Sequence, residues 1–251
     1  MQRTPLIAGN WKMHTTIAEA RALAKAVAEA SRGLIDRQVL IAPPFTALAA
    51  VAEAVKGSPV LLAGQNVCWE EKGAFTGEIA PAMLLDAGCR MAIIGHSERR
   101  HIFGETDAMI NKRVAGAKKG DLAPILCIGE TLAQRQAGET FAVLEQQIRG
   151  GFAGIAVDDP AGMVIAYEPV WAIGTGQTAS TEQAQEAHAF IRSLLTVMFE
   201  KSVASQMRIL YGGSVNSDNV DALMQQADID GALVGGAALK AESFARIINF
   251  R

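Results

Sequence analysis

Apolar residues along this chain come in short compact runs, not in alternation with polar ones. Eight runs stand out, at 6–11, 39–42, 60–64, 91–95, 124–128, 164–167, 208–211 and 231–234. A short aliphatic run with no polar face suits a strand buried on both sides, as in a parallel sheet. Between the runs lie stretches rich in Ala, Glu, Lys, Arg and Gln, residues that enter a helix at little cost. They predict helices at 17–30, 46–55, 107–119, 141–149, 181–199, 217–225 and 241–248, with a shorter one after Pro81. Thr15 or Thr16 is placed to cap the first of these.

The pattern amounts to eight strand-then-helix units with no linker-like composition, repeat or low-complexity segment between them. Strict alternation implies a parallel sheet with right-handed crossovers. The length, 251 residues, matches the roughly 250 that a closed (β/α)₈ barrel needs. An open dinucleotide-binding sheet is disfavoured, because no GxGxxG follows the first strand. The expectation is one α/β barrel domain over 1–251, with eight parallel strands inside a ring of helices.

Composition narrows the function. Half the residues are hydrophobic but only 6% are aromatic, so the core should be aliphatic. The formal net charge is −3, with acids and bases interspersed. No basic block suggests a nucleic-acid partner. No apolar run approaches the roughly 18 residues of a membrane span. Asn10 and Lys12 come too early for the apolar core of a signal peptide. The cysteines, Cys68, Cys89 and Cys127, are odd in number and unpaired in spacing. They suggest free thiols in a reducing compartment, with neither a disulfide framework nor a zinc site. A cytoplasmic protein is expected.

In a barrel of this kind the active site lies at the carboxyl ends of the strands. Strand one runs into Gly9-Asn10-Trp11-Lys12, strand four into Gly95-His96-Ser97-Glu98, and strand six into Tyr167-Glu168-Pro169. Each polar residue has an ordinary reading when taken singly: a solvated lysine, a loop histidine, a capping glutamate. Together they place a base, an imidazole and a cation on one rim. Strands seven and eight end in the turns Gly212-Gly213-Ser214 and Gly235-Gly236-Ala237. Glycine lets backbone N–H groups approach an anion, and the loops after strands seven and eight are the usual phosphate site of such barrels. The stretch 169–176 reads as a lid, rigid at Pro169-Val170-Trp171 and small and apolar towards its two glycines. Cys127 reads as a packed thiol. His14, His101 and His188 read as surface or structural.

These stretches resemble the triosephosphate isomerase family. The likeness covers essentially the whole chain: GNWK at 9–12, GHSERR at 95–100, AYEPVWAIGTG at 166–176, YGGSV at 211–215 and LVGGA at 233–237. One departure is Gln177, where many relatives carry Lys at the lid's exit hinge. The resemblance implies interconversion of dihydroxyacetone phosphate and D-glyceraldehyde 3-phosphate without cofactor or metal. Glu168 would be the base and His96 the electrophile. Lys12 and Asn10 would stabilise developing charge, and Gly174, Ser214, Gly235 and Gly236 would hold the phosphate. It also implies a homodimer, with the segment around Gln65, Asn66, Phe75 and Thr76 reaching into a partner. Another sugar-phosphate barrel would share the two glycine turns but lack the Lys–His–Glu set and the lid. A non-catalytic barrel would have lost Glu168 or His96.

Overall fold

The protein is described by a computed structural model covering residues 3–157, 159–174 and 177–251. Eight strands close into a parallel barrel in sequence order. They are β1 (Leu6–Asn10), β2 (Gln38–Ala42), β3 (Leu61–Gly64), β4 (Met91–Ile94), β5 (Ala123–Ile128), β6 (Val164–Tyr167), β7 (Arg208–Tyr211) and β8 (Gly231–Val234). Closure is visible at Leu6, which pairs with Gln38 of β2 on one side and Gly231 of β8 on the other. The helices around it are α1 (Ile17–Ala30), α2 (Leu48–Ala54), α3 (Pro81–Asp86), α4 (Ser97–His101), α5 (Asp107–Lys119), α6 (Leu132–Gln136), α7 (Thr140–Gly151), α8 (Thr181–Met198), α9 (Lys201–Ala204), α10 (Val220–Met224) and α11 (Ala241–Ile248).

The unbroken apolar runs follow from two cores served by one strand. Successive side chains point to opposite faces of a strand. Leu6 and Ala8 point inward with Leu40, Ile93, Ile125 and Leu210. Ile7 points outward and packs with Ile41, Leu62 and Ile209 beneath the helices. The apolar cluster inside the barrel is aliphatic apart from Met91 and Cys127, as the scarcity of aromatics foretold.

Helix boundaries follow capping chemistry. Thr16 caps α1: its hydroxyl accepts from the Glu19 N–H, and the Glu19 carboxylate accepts from the Thr16 N–H at 2.7 Å. Thr131 with Gln134 and Ser180 with Gln183 do the same for α6 and α8. The expected helix at 46–55 instead opens as a 3₁₀ turn, Phe45–Ala47, and becomes α-helical only from Leu48. The one expected at 217–225 shortens to α10. Asn216 accepts from the N–H groups of Asp218 and Asn219 at 2.8 and 3.0 Å, and this side-chain turn competes with helix at 216–219. The elements α6 and α9, of five and four residues, are too short to show helical periodicity.

His188 of α8 is fully buried, with Nδ1 placed 3.2 Å from the Asp228 carbonyl oxygen. Burial pushes its pKa down to about 3, so it packs as a neutral ring behind β6 and β7. His14 and His101 are exposed.

Candidate active site

Glu168 directly follows β6, where two backbone bonds prolong the sheet past its last paired residues. The Glu168 N–H donates to the Ile128 carbonyl at 2.7 Å, and the Gly212 N–H to the Tyr167 carbonyl at 2.7 Å. The neighbours leave no room for a side chain of their own. A Cβ at Gly129 would lie 1.7 Å from the Glu168 carbonyl oxygen, and one at Gly212 would lie 2.8 Å from Glu168 Cγ. The carboxylate is 2% exposed. Its Oε2 accepts from the Ser97 N–H at 2.8 Å, and its Oε1 stands 3.0 Å from His96 Nε2.

His96 is the N-cap of α4, and its Nδ1 accepts from the Glu98 N–H at 3.2 Å. A nitrogen that accepts carries no proton, so the ring's hydrogen is on Nε2. Nε2–H then donates to Glu168 Oε1. One side chain thus presents a neutral N–H donor into the barrel mouth beside a carboxylate.

Lys12 stands at φ 53°, the left-handed region that L-residues seldom occupy. Two amides hold it there. Asn10 Oδ1 accepts from the Lys12 N–H at 3.0 Å, and Gln65 Nε2 donates to the Lys12 carbonyl at 2.7 Å. The ammonium reaches across to Glu98 Oε1 at 2.7 Å. Burial pushes the Glu98 carboxyl up, but the hydrogen bond and charge of Lys12 lead the influences that outweigh it and hold it below the ordinary range.

Asn10, Lys12, His96, Glu168, Gly174, Ser214, Gly235 and Gly236 all line one cavity of about 330 Å³. Every residue expected from the sequence to act in catalysis or to hold the phosphate is therefore brought to a single place. Ile173 and Gly174 of the expected lid lie on the cavity wall, whereas Thr175 and Gly176 fall outside the described residues. The glycine turn after β8 leads straight into a 3₁₀ helix, Gly236–Leu239. The turn after β7 does not, since α10 begins only at Val220.

The sequence reading missed Glu130. It is fully buried and accepts from Tyr167 Oη at 3.1 Å, Trp171 Nε1 at 2.9 Å and Arg135 at 3.2 Å. Burial first, and then this carboxylate, push the Tyr167 phenol up. Glu130 ties the start of the lid to β5 and β6. Its signal was available, since it follows an apolar strand just as His96 and Glu168 do. Glu98 and Gln65 were seen, but not as partners of Lys12. Cys127 is buried inside the barrel, and burial followed by the neighbouring Glu168 charge raises its pKa well above the ordinary thiol value, as suits a packed thiol.

A closed (β/α)₈ barrel with a buried carboxylate, an imidazole and an ammonium facing glycine turns has the architecture of a barrel enzyme acting on small phosphorylated substrates. The triosephosphate isomerase family profile matches residues 5–251. A triosephosphate isomerase of Citrifermentans bemidjiense is 56% identical over 248 residues, covering 99% of each chain. One from Syntrophotalea carbinolica is 55% identical over 249 residues, again covering 99% of each. The crystal structure of triosephosphate isomerase from Bartonella henselae superposes with a TM-score of 0.89 at 38% identity, covering 98% of each chain. The chain belongs to the triosephosphate isomerase family. It interconverts dihydroxyacetone phosphate and D-glyceraldehyde 3-phosphate by proton transfer through an enediolate.

Proposed function

We propose that Glu168, His96, Lys12 and Asn10 carry this reaction, and that N–H groups of Gly174, Ser214, Gly235 and Gly236 hold the phosphate. The observation that supports this most directly is the 3.0 Å approach of His96 Nε2 to Glu168 Oε1 in the cavity those residues line. Glu168 leaves the Ser97 N–H and takes the proton from the carbon beside the substrate carbonyl. The electron pair moves onto the carbonyl oxygen. His96 Nε2–H gives that oxygen a proton and recovers one from the neighbouring hydroxyl, so the ring ends as it began. Glu168 returns its proton to the neighbouring carbon. Lys12, oriented by Asn10, offsets the negative charge that grows on the oxygens, in a site where water is scarce and charge interactions are strong. A neutral imidazole in this role is a known feature of the family; here the Glu98 N–H on Nδ1 selects the tautomer. Nitrogen-15 spectra of the enzyme at neutral pH should show His96 protonated on Nε2 alone. A doubly protonated ring, or a proton on Nδ1, would exclude this assignment.

The chain is further proposed to work as one domain over 1–251, in the cytoplasm, as a homodimer. Support for the dimer comes from exposed apolar residues on the loops after β1, β3 and β4: Met13, Phe75, Ile102 and Phe103, which are 94%, 42%, 72% and 67% exposed. Isolated surface apolar residues are commonplace, but several on neighbouring loops suggest a covered face. Arg113 anchors the Phe75 loop through Glu78 at 2.9 and 3.2 Å and the Val67 carbonyl, so it is presented as a fixed shape. Sedimentation should give a dimer at assay concentrations; a fully active monomer would remove this part of the proposal.

A further inference from the structure

The turn that follows β7 has no helix directly behind it, so something else must fix its shape. Asn219 occupies the N-cap of α10, a position where an asparagine side chain ordinarily accepts from its own helix, yet it makes no such bond. Its amide turns back instead. Asn219 Nδ2 donates to the Ser214 carbonyl at 2.9 Å, and Asn219 Oδ1 accepts from the Asn216 N–H at 2.9 Å. Asn216 returns the arrangement, its Oδ1 accepting from the Asp218 and Asn219 N–H groups. The carbonyl of Ser214 and the N–H of Val215 belong to one planar trans peptide and point in opposite directions. Tethering that carbonyl therefore fixes the plane of the peptide on the cavity wall, where Ser214 and Val215 both lie. Among the described residues, the N–H groups of Ser214 and Val215 have no acceptor.

We propose that Asn219 is a positioning residue for phosphate: it touches no substrate, and it holds the 214–216 turn so that the Ser214 and Val215 N–H groups stay aimed at the anion. The proposal rests on the reading of Ser214 as a phosphate holder.

The test compares two substrates in two variants. Asn219→Ala removes both bonds; Asn219→Asp keeps the acceptor for Asn216 and loses the donor to Ser214. In both, kcat/KM for glyceraldehyde 3-phosphate should fall about tenfold, the size expected for the one hydrogen bond to the Ser214 carbonyl that both variants lose. The loss should appear mainly in KM, with inorganic phosphate inhibiting correspondingly less well. Turnover of D-glyceraldehyde, which has no phosphate, should be unchanged. An equal loss on both substrates, or no loss on either, overturns the proposal. Should the alanine variant fail to fold, the aspartate variant decides by the same criteria. Titrating the unaltered enzyme with inorganic phosphate separates the two readings. If the Ser214 amide resonance does not move, the phosphate site itself is wrong. If it moves while Asn219→Ala and Asn219→Asp are inhibited normally, only the tether is wrong.

Discussion

Glu168→Asp is expected to bind a phosphate-bearing inhibitor almost as the unaltered enzyme does, and to turn over at least about 10²-fold more slowly in both directions. Charge and intrinsic acidity are nearly preserved, and the carboxylate moves back by about one methylene. Abstracting a carbon-bound proton needs the base within about 3 Å and in line with the bond, and a displacement of about 1 Å can cost roughly 10²-fold. The site sharpens this expectation, because the glutamate has no slack to recover the distance. Its backbone is pinned by the Ile128 carbonyl, and Gly129 and Gly212 pack against it with no space for adjustment. The shorter side chain also cannot meet the Ser97 N–H and His96 Nε2 together as the glutamate does. The alternative role for Glu168 is to satisfy those two donors and nothing more. In that case Glu168→Asp should lower the thermal midpoint and leave kcat nearly intact. Measuring kcat in both directions, inhibitor affinity and thermal midpoint on one preparation separates the two. A folded variant with near-normal kcat would sink the proposed mechanism.

The strands were legible in the sequence because each must be apolar on both faces, and only a strand inside a double core reads that way over four or five residues. The glutamate, histidine and lysine were legible for a related reason: a polar residue directly after such a run must sit at the barrel mouth. What could not be read were relations between distant positions. Gln65 looks like the start of an exposed loop, yet its amide bridges the carbonyls of Lys12 and Ala42. Glu130 carries the same local signal as Glu168, but its job appears only when Tyr167 and Trp171 are seen to converge on it. Asn219 falls inside the helix expected at 217–225, whereas the structure places it before α10 with its side chain facing backwards. Short side-chain turns also hid the true start of α10, because asparagine offers the backbone a partner that rivals the helix.

Lys12→Met is expected to fold normally and to lose at least about 10²–10³-fold in kcat/KM, the range seen when one preorganised donor to a developing oxyanion is removed. Methionine keeps the bulk of the side chain and removes only the charge. The backbone constraint stays, since Asn10 and Gln65 grip main-chain atoms of residue 12 and not its ammonium. Glu98 loses its partner, but its side chain is 41% exposed, and an exposed carboxylate can return to water without a large folding penalty. Stability should therefore change little, and the loss should fall on catalysis. Binding of an anionic inhibitor should weaken too, because the cation lines the same cavity as the glycine turns. The opposing view treats Lys12 as an ordinary ion-pair partner of Glu98 at the rim. That view predicts near-normal turnover, with at most a small shift in thermal midpoint. Steady-state kinetics on a variant of unaltered midpoint decides between them, and near-normal kcat/KM would return Lys12 to the surface.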